Sequence, residues 1–432
     1  MKLYSENKEY KLYHGSMLDM LDVIEPNSID AIITDPPYEL NFMSKGWDNS
    51  GIAFQNEAWE KCFKVLKPGG HLLAFGGSRT FWKIAAAINE AGFEIRDTIM
   101  WLYGSGFPKS MNIGLAIDKR NGVDNRTGNI RTDGKATLGD IYEWANGSPD
   151  TKEYEERKAQ NEWDGWGTCL KPAYEPIIVA RKPVENSIVD NVLKYGVGGF
   201  NIDECKIGES EAGRFPANVI HDGSEEVLRG MPYTKGNGGE PNTEKSNCEC
   251  RVFASGENKL WHKSGTHFDD EGSAARYFYC AKATKFDRDE GLCDFEESRT
   301  TDGCIRSNLE TARKFGANSA FRKNIHPTVK PISLMRYLVR LVSPKNATIL
   351  DCFNGSRSTG KAVMLENKEF KKNYKYIGIE LTEEYLPIAK ARIEYICNNQ
   401  FDFTEEENGI KQHEVVKKDA KILDIFDFGV EL

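Results

Sequence analysis

The run Ile29-Asp-Ala-Ile-Ile-Thr34, followed at once by Asp35-Pro36-Pro37-Tyr38, constrains the fold of this chain more than any other segment. A short apolar run closed by proline reads as a buried strand. Two successive prolines fix two φ angles and bias Asp35 and Pro36 away from the helical region, so the turn after the strand is stiff. The same strand-then-helix rhythm continues downstream. Ala53 to Leu66 has helical periodicity and is stopped by Lys67-Pro-Gly-Gly70; His71 to Phe75 is a strand, Thr80 to Ala91 a helix, and Ile95 to Leu102 and Tyr174 to Ala180 are further strands. Strands separated by helices of this length make βαβ units, and therefore an α/β fold with a parallel sheet.

The rhythm divides the 432 residues into zones. Residues 1–183 form the first α/β zone, broken by a Gly- and Asn-rich polar stretch, about 104–166, that is expected to be a mobile loop. Trp163 and Trp166 are read as anchors of this loop on the core, with DNA contact as the alternative, and Trp101 to Lys109 as either a flap over the strand ends or a simple loop. Residues 184–324 lose the pattern and are expected to form an irregular insertion, with short extended runs at Phe215 to Ile220 and Tyr277 to Ala281. Residues 325–398 resume it, with helix Pro331 to Val342, strand Ala347 to Leu350 ending at Asp351, helix Ser358 to about Glu366, strand Tyr376 to Ile379 ending at Glu380, and helix Glu383 to Cys397. Neither flanking zone has strands enough for a complete sheet, but pooled they supply about seven, so one sheet interrupted by the insertion is expected. Residues 399–432 are an acidic tail.

Composition narrows the class. No stretch approaches eighteen consecutive apolar residues and the first residues lack the apolar core of a signal peptide, so a cytoplasmic chain with no membrane partner is expected. The ten cysteines show no metal spacing: Cys248 and Cys250 have no matching second pair, and no metal site is expected. The net charge of −9 argues against a nucleic-acid partner only if it is spread evenly. It is not. From Arg306 to Arg340 eight basic side chains oppose one acidic, a net of +7 suited to phosphates, whereas the tail from Phe401 carries −5.

Two strand ends carry the chemistry. Asp35 and the Pro36 carbonyl put two acceptors on a rigid frame beside the Tyr38 ring, at the carboxyl edge where open α/β sheets bind ligands. An exocyclic amine of a nucleobase matches this set. Acceptors on its N–H bonds raise the electron density of the nitrogen, Asp35 stabilises the positive charge that develops during attack on an electrophile, and Tyr38 stacks on the base. Such a base must leave the duplex to be reached. The second strand end is Ile349-Leu350-Asp351-Cys352-Phe353-Asn354-Gly355-Ser356-Arg357-Ser358-Thr359-Gly360, a glycine-containing turn into a helix that suits a ligand with an anionic group. Glu380, at the end of the next strand, is placed to accept hydrogen bonds from ribose hydroxyls, so a ribose-bearing cofactor is expected.

Together these residues resemble the β class of amino-group DNA methyltransferases, which act on adenine N6 or cytosine N4. The runs Gly199-Phe200-Asn201-Ile202-Asp203 and Gly213-Arg214-Phe215-Pro216-Ala217-Asn218 look like those of phage- or prophage-borne members. The resemblance extends to about residue 398. It implies a Rossmann-like S-adenosylmethionine-dependent fold with a mostly parallel seven-stranded sheet, a permuted motif order, and residues 184–324 as the inserted target-recognition region. It implies Asp35, Pro36, Pro37 and Tyr38 as catalytic residues, and Asp351, Phe353, Gly355, Ser356, Glu380, His326, Thr328, Lys330 and Ser333 as contacts of S-adenosylmethionine. The implied partner is double-stranded DNA, with a homodimer admitted, and the implied activity is site-specific methylation of N6 of a flipped-out adenine. N4 of cytosine, or a catalytically weak DNA-binding regulator, are the alternatives.

Two positions depart from the family pattern. Arg357 stands where the family usually has glycine; it either salt-bridges the cofactor carboxylate or crowds the pocket. Near the start Gly15-Ser16 replaces the usual Gly-Asp, and Asp19 is the candidate substitute for the missing cofactor contact.

Overall fold

The computed structural model describes residues 2–40, 46–104, 106, 110–123, 158–208, 213–235, 271–281, 285–299, 321–405 and 411–415. One mixed sheet organises them. In chain order its strands are β1 (Lys2–Glu6), β2 (Tyr10–His14), β3 (Ile29–Thr34), β4 (Leu66–Phe75), β5 (Glu94–Leu102), β6 (Tyr174–Arg181), β7 (Val219–His221), β8 (Tyr279–Cys280), β9 (Thr348–Asp351) and β10 (Lys375–Glu380). Their spatial order is β1-β2-β10-β9-β3-β4-β6-β5-β7-β8, and only β1 and β6 run against the rest. The sheet is thus mostly parallel, as expected, but ten-stranded where about seven strands were counted. The central seven, β2 to β5 in space, are extended by β1 at one edge and by β7 and β8, from the insertion, at the other.

Alternation along the central strands creates two apolar layers. Ala31 and Ile33, Leu73 and Phe75, and Ile177 and Val179 face one side, where helices α6 (Ile332–Val342), α7 (Ser358–Phe370) and α8 (Leu386–Asn398) pack. Ile32, Leu72, Ala74, Ile178 and Ala180 face the other, under α1 (Met17–Leu21), α2 (Asn56–Val65) and α3 (Phe81–Glu90). A period of two with both faces apolar is what a strand buried between helical layers requires.

The structure revises several boundaries. Lys67-Pro-Gly-Gly70 does not separate helix from strand: α2 passes directly into β4 at Leu66, and the β3–β4 register shifts between Ile29 and Ala31 to absorb the irregularity. Gly69 takes φ +79°, and a Cβ there would lie 2.1 Å from Asn191 Nδ2, which instead donates to the Pro68 carbonyl at 2.9 Å. Asn191 belongs to α5 (Ile188–Tyr195), a helix the sequence reading did not anticipate. Within the stretch expected to be loop, Ile113–Arg120 is a helix (α4) capped by Asn112, whose side chain accepts from Leu115 N at 2.9 Å. Trp163 and Trp166 do not anchor on the core. They are 40% and 58% exposed and pack edge-on against each other. Most of the polar stretch (124–157), Cys248, Cys250, Arg306, Arg313, Lys314 and the tail beyond residue 415 lie outside the described residues.

Candidate active site

Three adjacent parallel strands end in the acids singled out from sequence. In register, Leu350 of β9 faces Ile32 of β3, and Asp351 faces Gly378 of β10. Glu380, Asp351 and Asp35 therefore leave the carboxyl edge side by side, and all three line one cavity of about 1370 Å³. Pockets for one small ligand run to about 1,000 Å³, so this one has room for more than a single cofactor.

The loop after β9 forms one end of it. Asp351 is buried and accepts from Thr34 Oγ1 and Thr359 Oγ1, each at 2.7 Å, which ties the loop to β3 and to the first turn of α7. Burial outweighs these bonds and pushes its pKa up to about 6. Glu380 accepts from Gly355 N at 2.6 Å and Thr382 N at 2.7 Å, and burial pushes it up to about 7. Each of its oxygens keeps acceptor capacity after one such bond. Gly355 has φ +48°, and a Cβ there would come within 2.8 Å of His326 Nε2, so glycine lets that ring sit against the loop. Partly buried in the cavity wall, His326 is held down by desolvation to about 4 and is neutral near pH 7, with Nδ1 2.6 Å from the Thr328 carbonyl oxygen. Ser358 Oγ is buried at the cavity wall, and no partner reaches it among the described residues.

Asp35 forms the other end. Lys330 Nζ donates to its Oδ2 at 2.6 Å, whereas Oδ1 is buried and meets no donor among the described residues. Lys330 also lies 3.3 Å from Glu175 Oε2, the same oxygen that accepts from Tyr38 OH at 2.8 Å. Burial alone would lower the Lys330 pKa, but Asp35 and Glu175 overcome it and push it up to about 12. The Tyr38 hydroxyl is raised well above its usual value by burial and by the same two carboxylates. Thr80 Oγ1 donates to the Tyr38 carbonyl at 2.8 Å and fixes the turn. Pro36 and Pro37 are buried in the wall between the two ends.

The cavity thus collects Asp35, Pro36, Pro37, Tyr38, His326, Thr328, Lys330, Asp351, Phe353, Gly355, Ser356 and Glu380. Four expectations change. Lys330, expected among the cofactor contacts, is engaged with Asp35. Asp19 points to solvent from α1 outside the cavity wall, where Gly15, Ser16 and Met17 stand instead. Ser16 spends its hydroxyl capping α1, accepting from Leu18 N at 3.2 Å. Ser333 Oγ is buried on α6 but is not part of the wall.

Arg357 is the fourth. It is fully buried with φ +69°, its Nη1 donates to the Ala389 carbonyl at 3.1 Å, and its guanidinium sits 5.1 Å from the Tyr10 ring centre. The charge is spent under α8, although the residue itself still contributes to the cavity wall between Ser356 and Ser358. Glu175, Thr34, Thr359 and Ser358 were not anticipated. Glu175 is the second residue of the reversed strand β6, whose first residues fall at the same edge as the ends of its parallel neighbours. Among the described residues no helix is long and apolar enough to cross a membrane, and no cluster of His, Cys, Asp or Glu is placed to hold a metal ion.

Residues 29–391 match a family model described as DNA methylase, covering N6 and N4 enzymes. The chain is similar to the type II methyltransferase M.HindIII of Haemophilus influenzae, 20% identical over 234 residues, which span 44% of this chain and 64% of that protein. It is similar to the type II methyltransferase M.BglII of Bacillus subtilis, 32% identical over 87 residues, 20% of this chain and 22% of that one. Among solved structures it aligns with the cytosine-N4-specific PvuII DNA methyltransferase at 13% identity, over 92% of this chain and 94% of that chain, with a TM-score of 0.38.

Proposed function

This chain belongs to the N6/N4 DNA methylase family, and from that premise we propose that it transfers a methyl group from S-adenosylmethionine to N6 of an adenine turned out of duplex DNA. The observation that carries the reading is Asp35 Oδ1: a buried acceptor that meets no donor among the described residues, on a stiff turn, in the same cavity as the Asp351 and Glu380 strand ends. An exocyclic amine brings N–H bonds for that oxygen, and the Tyr38 ring beside it suits a stacked base.

The residues present fit the cofactor. Glu380 retains acceptor capacity for two vicinal hydroxyls, and the Ser358 hydroxyl at the wall is a donor with no partner among the described residues. Glu380, Asp351, Phe353, Gly355, Ser356 and Ser358 would hold S-adenosylmethionine, with His326 and Thr328 closing over the loop. Bound there, it supplies a methyl group on a positively charged sulfur. The chain itself needs no covalent base adduct. Asp35 orients the amine and stabilises its developing positive charge, and Lys330 keeps Oδ2 engaged so that Oδ1 faces the substrate.

The experiment is transfer of labelled methyl from S-adenosylmethionine to unmethylated genomic DNA, followed by nucleoside mass spectrometry and mapping of the modified positions. N6-methyladenine at one short sequence is expected. N4-methylcytosine would overturn the base assignment alone, and absence of label from both nucleosides would overturn the activity.

A further inference from the structure

Building on that methyl-transfer reading, we infer that Glu175 is a positioning residue of the reaction, setting the charge and the alignment of the Asp35–Lys330–Tyr38 group from a strand that carries none of the recognised motifs.

Its place follows from topology. β6 runs antiparallel between β4 and β5, with Ile177 opposite Phe75 of β4 and Glu175 opposite Trp101 of β5. The start of β6 therefore meets the ends of its neighbours, and a residue at the beginning of one element joins a site otherwise made of strand ends. Gly76 N donates to the Pro176 carbonyl at 3.0 Å and locks this corner. From there one oxygen of Glu175 does two jobs: it accepts from Tyr38 OH at 2.8 Å and sits 3.3 Å from Lys330 Nζ. Lys330 is thereby held between two carboxylates, over the faces of Tyr38 (5.3 Å) and Phe75 (4.9 Å).

The consequence is electrostatic. Asp35 and Lys330 alone would make a neutral pair facing the substrate. With Glu175 the group carries one net negative charge. During transfer the amine nitrogen forms a bond to the methyl carbon while the carbon–sulfur bond breaks, its electron pair remaining on sulfur. The nitrogen is cationic until a proton leaves it for water. A net negative group whose side chains are mostly buried stabilises that cation more than it stabilises the neutral amine, so it acts on the transition state rather than on binding.

Glu175→Gln and Glu175→Asp separate charge from shape. The glutamine variant keeps the length and the Tyr38 hydrogen bond but drops the charge; the aspartate variant keeps the charge but shortens the reach. The expected result is a kcat at least ten-fold lower for Glu175→Gln, with KM for S-adenosylmethionine, DNA affinity and melting temperature close to the parent's, and substantial recovery of kcat in Glu175→Asp. Parent-like turnover in Glu175→Gln, or a smaller loss there than in Glu175→Asp, would overturn the inference and leave the methyltransferase reading standing. A parent protein that labels no nucleoside would overturn that reading and this inference with it.

Discussion

Lys330 Nζ lies 2.6 Å from Asp35 Oδ2, joining residues 295 positions apart. The pair is mostly buried, with side-chain exposures of 8% and 23%. Removing one partner of such a pair leaves the other charge uncompensated in a poor solvent. Lys330→Met, similar in volume, should cost about 3 kcal/mol of stability, at the low end for buried pairs because Asp35 keeps some water contact. Urea denaturation of the protein without cofactor measures it; parent-like stability would show that the pair contributes no net stabilisation.

Arg357 combines a left-handed backbone with a wholly buried side chain, and the two push glycine and alanine replacements apart. Both lose the bond to Ala389 and the packing against Tyr10, but glycine also relieves a conformation that costs other residues about 1 kcal/mol. Arg357→Ala should therefore be less stable than Arg357→Gly by about 1 kcal/mol, and both less stable than the parent. Calorimetric affinity for S-adenosylmethionine should stay within about two-fold in both, since the guanidinium is engaged by the Ala389 carbonyl and the Tyr10 ring. A clear tightening in Arg357→Gly would restore the crowding view.

Gly355→Ala tests the loop. A Cβ there meets His326 Nε2 at 2.8 Å in a backbone region that favours glycine. The loop or the ring must move, and cofactor affinity should fall at least ten-fold while the melting temperature of the free protein changes little. Calorimetric binding beside a thermal melt reads both. Parent-like affinity would remove His326 from the cofactor site.

Glu380 gives a pH dependence with a definite sign. Burial pushes its folded-state pKa up to about 7, above the carboxylate's ordinary value, so the free protein holds a proton that the unfolded chain has already lost. Its contribution to stability is therefore full at low pH and is lost as pH rises through about 7, and Asp351, pushed up to about 6, acts in the same direction. Hydroxyl donors prefer the ionised form, so affinity for S-adenosylmethionine should climb between pH 5.5 and 8. In Glu380→Gln that climb should flatten, and titrations of the two proteins across this range would show whether it does. An identical slope in both would take Glu380 out of the binding step.

Much of the site was legible because its parts are local. Asp35 to Tyr38, Asp351 to Gly355, and Glu380 each follow directly from an apolar run, and the end of a parallel strand buried on both faces has one destination, the carboxyl edge of the sheet. Those residues reach one cavity as expected. Asp19 did not, because the short helix α1 turns it to solvent and brings Ser16 to the wall instead. The four residues Lys67-Pro-Gly-Gly70 misled for a related reason. Gly69 supplies a backbone angle inside β4 where Asn191, 122 residues later, needs room to reach the Pro68 carbonyl, and no local rule connects the two.

By itself the sequence determined the α/β class, the strand ends and the chemical types they carry, because hydrophobic period and proline-fixed turns act over a few residues. Tertiary structure decided the pairing. Glu175 joins Asp35 only because β6 is threaded backwards between β4 and β5, Lys330 pairs with Asp35 from 295 positions away, and Arg357 turns under α8. Each of these depends on which strands lie side by side and on where a long side chain finds its partner in a dense interior, and both are settled by packing the whole sheet at once.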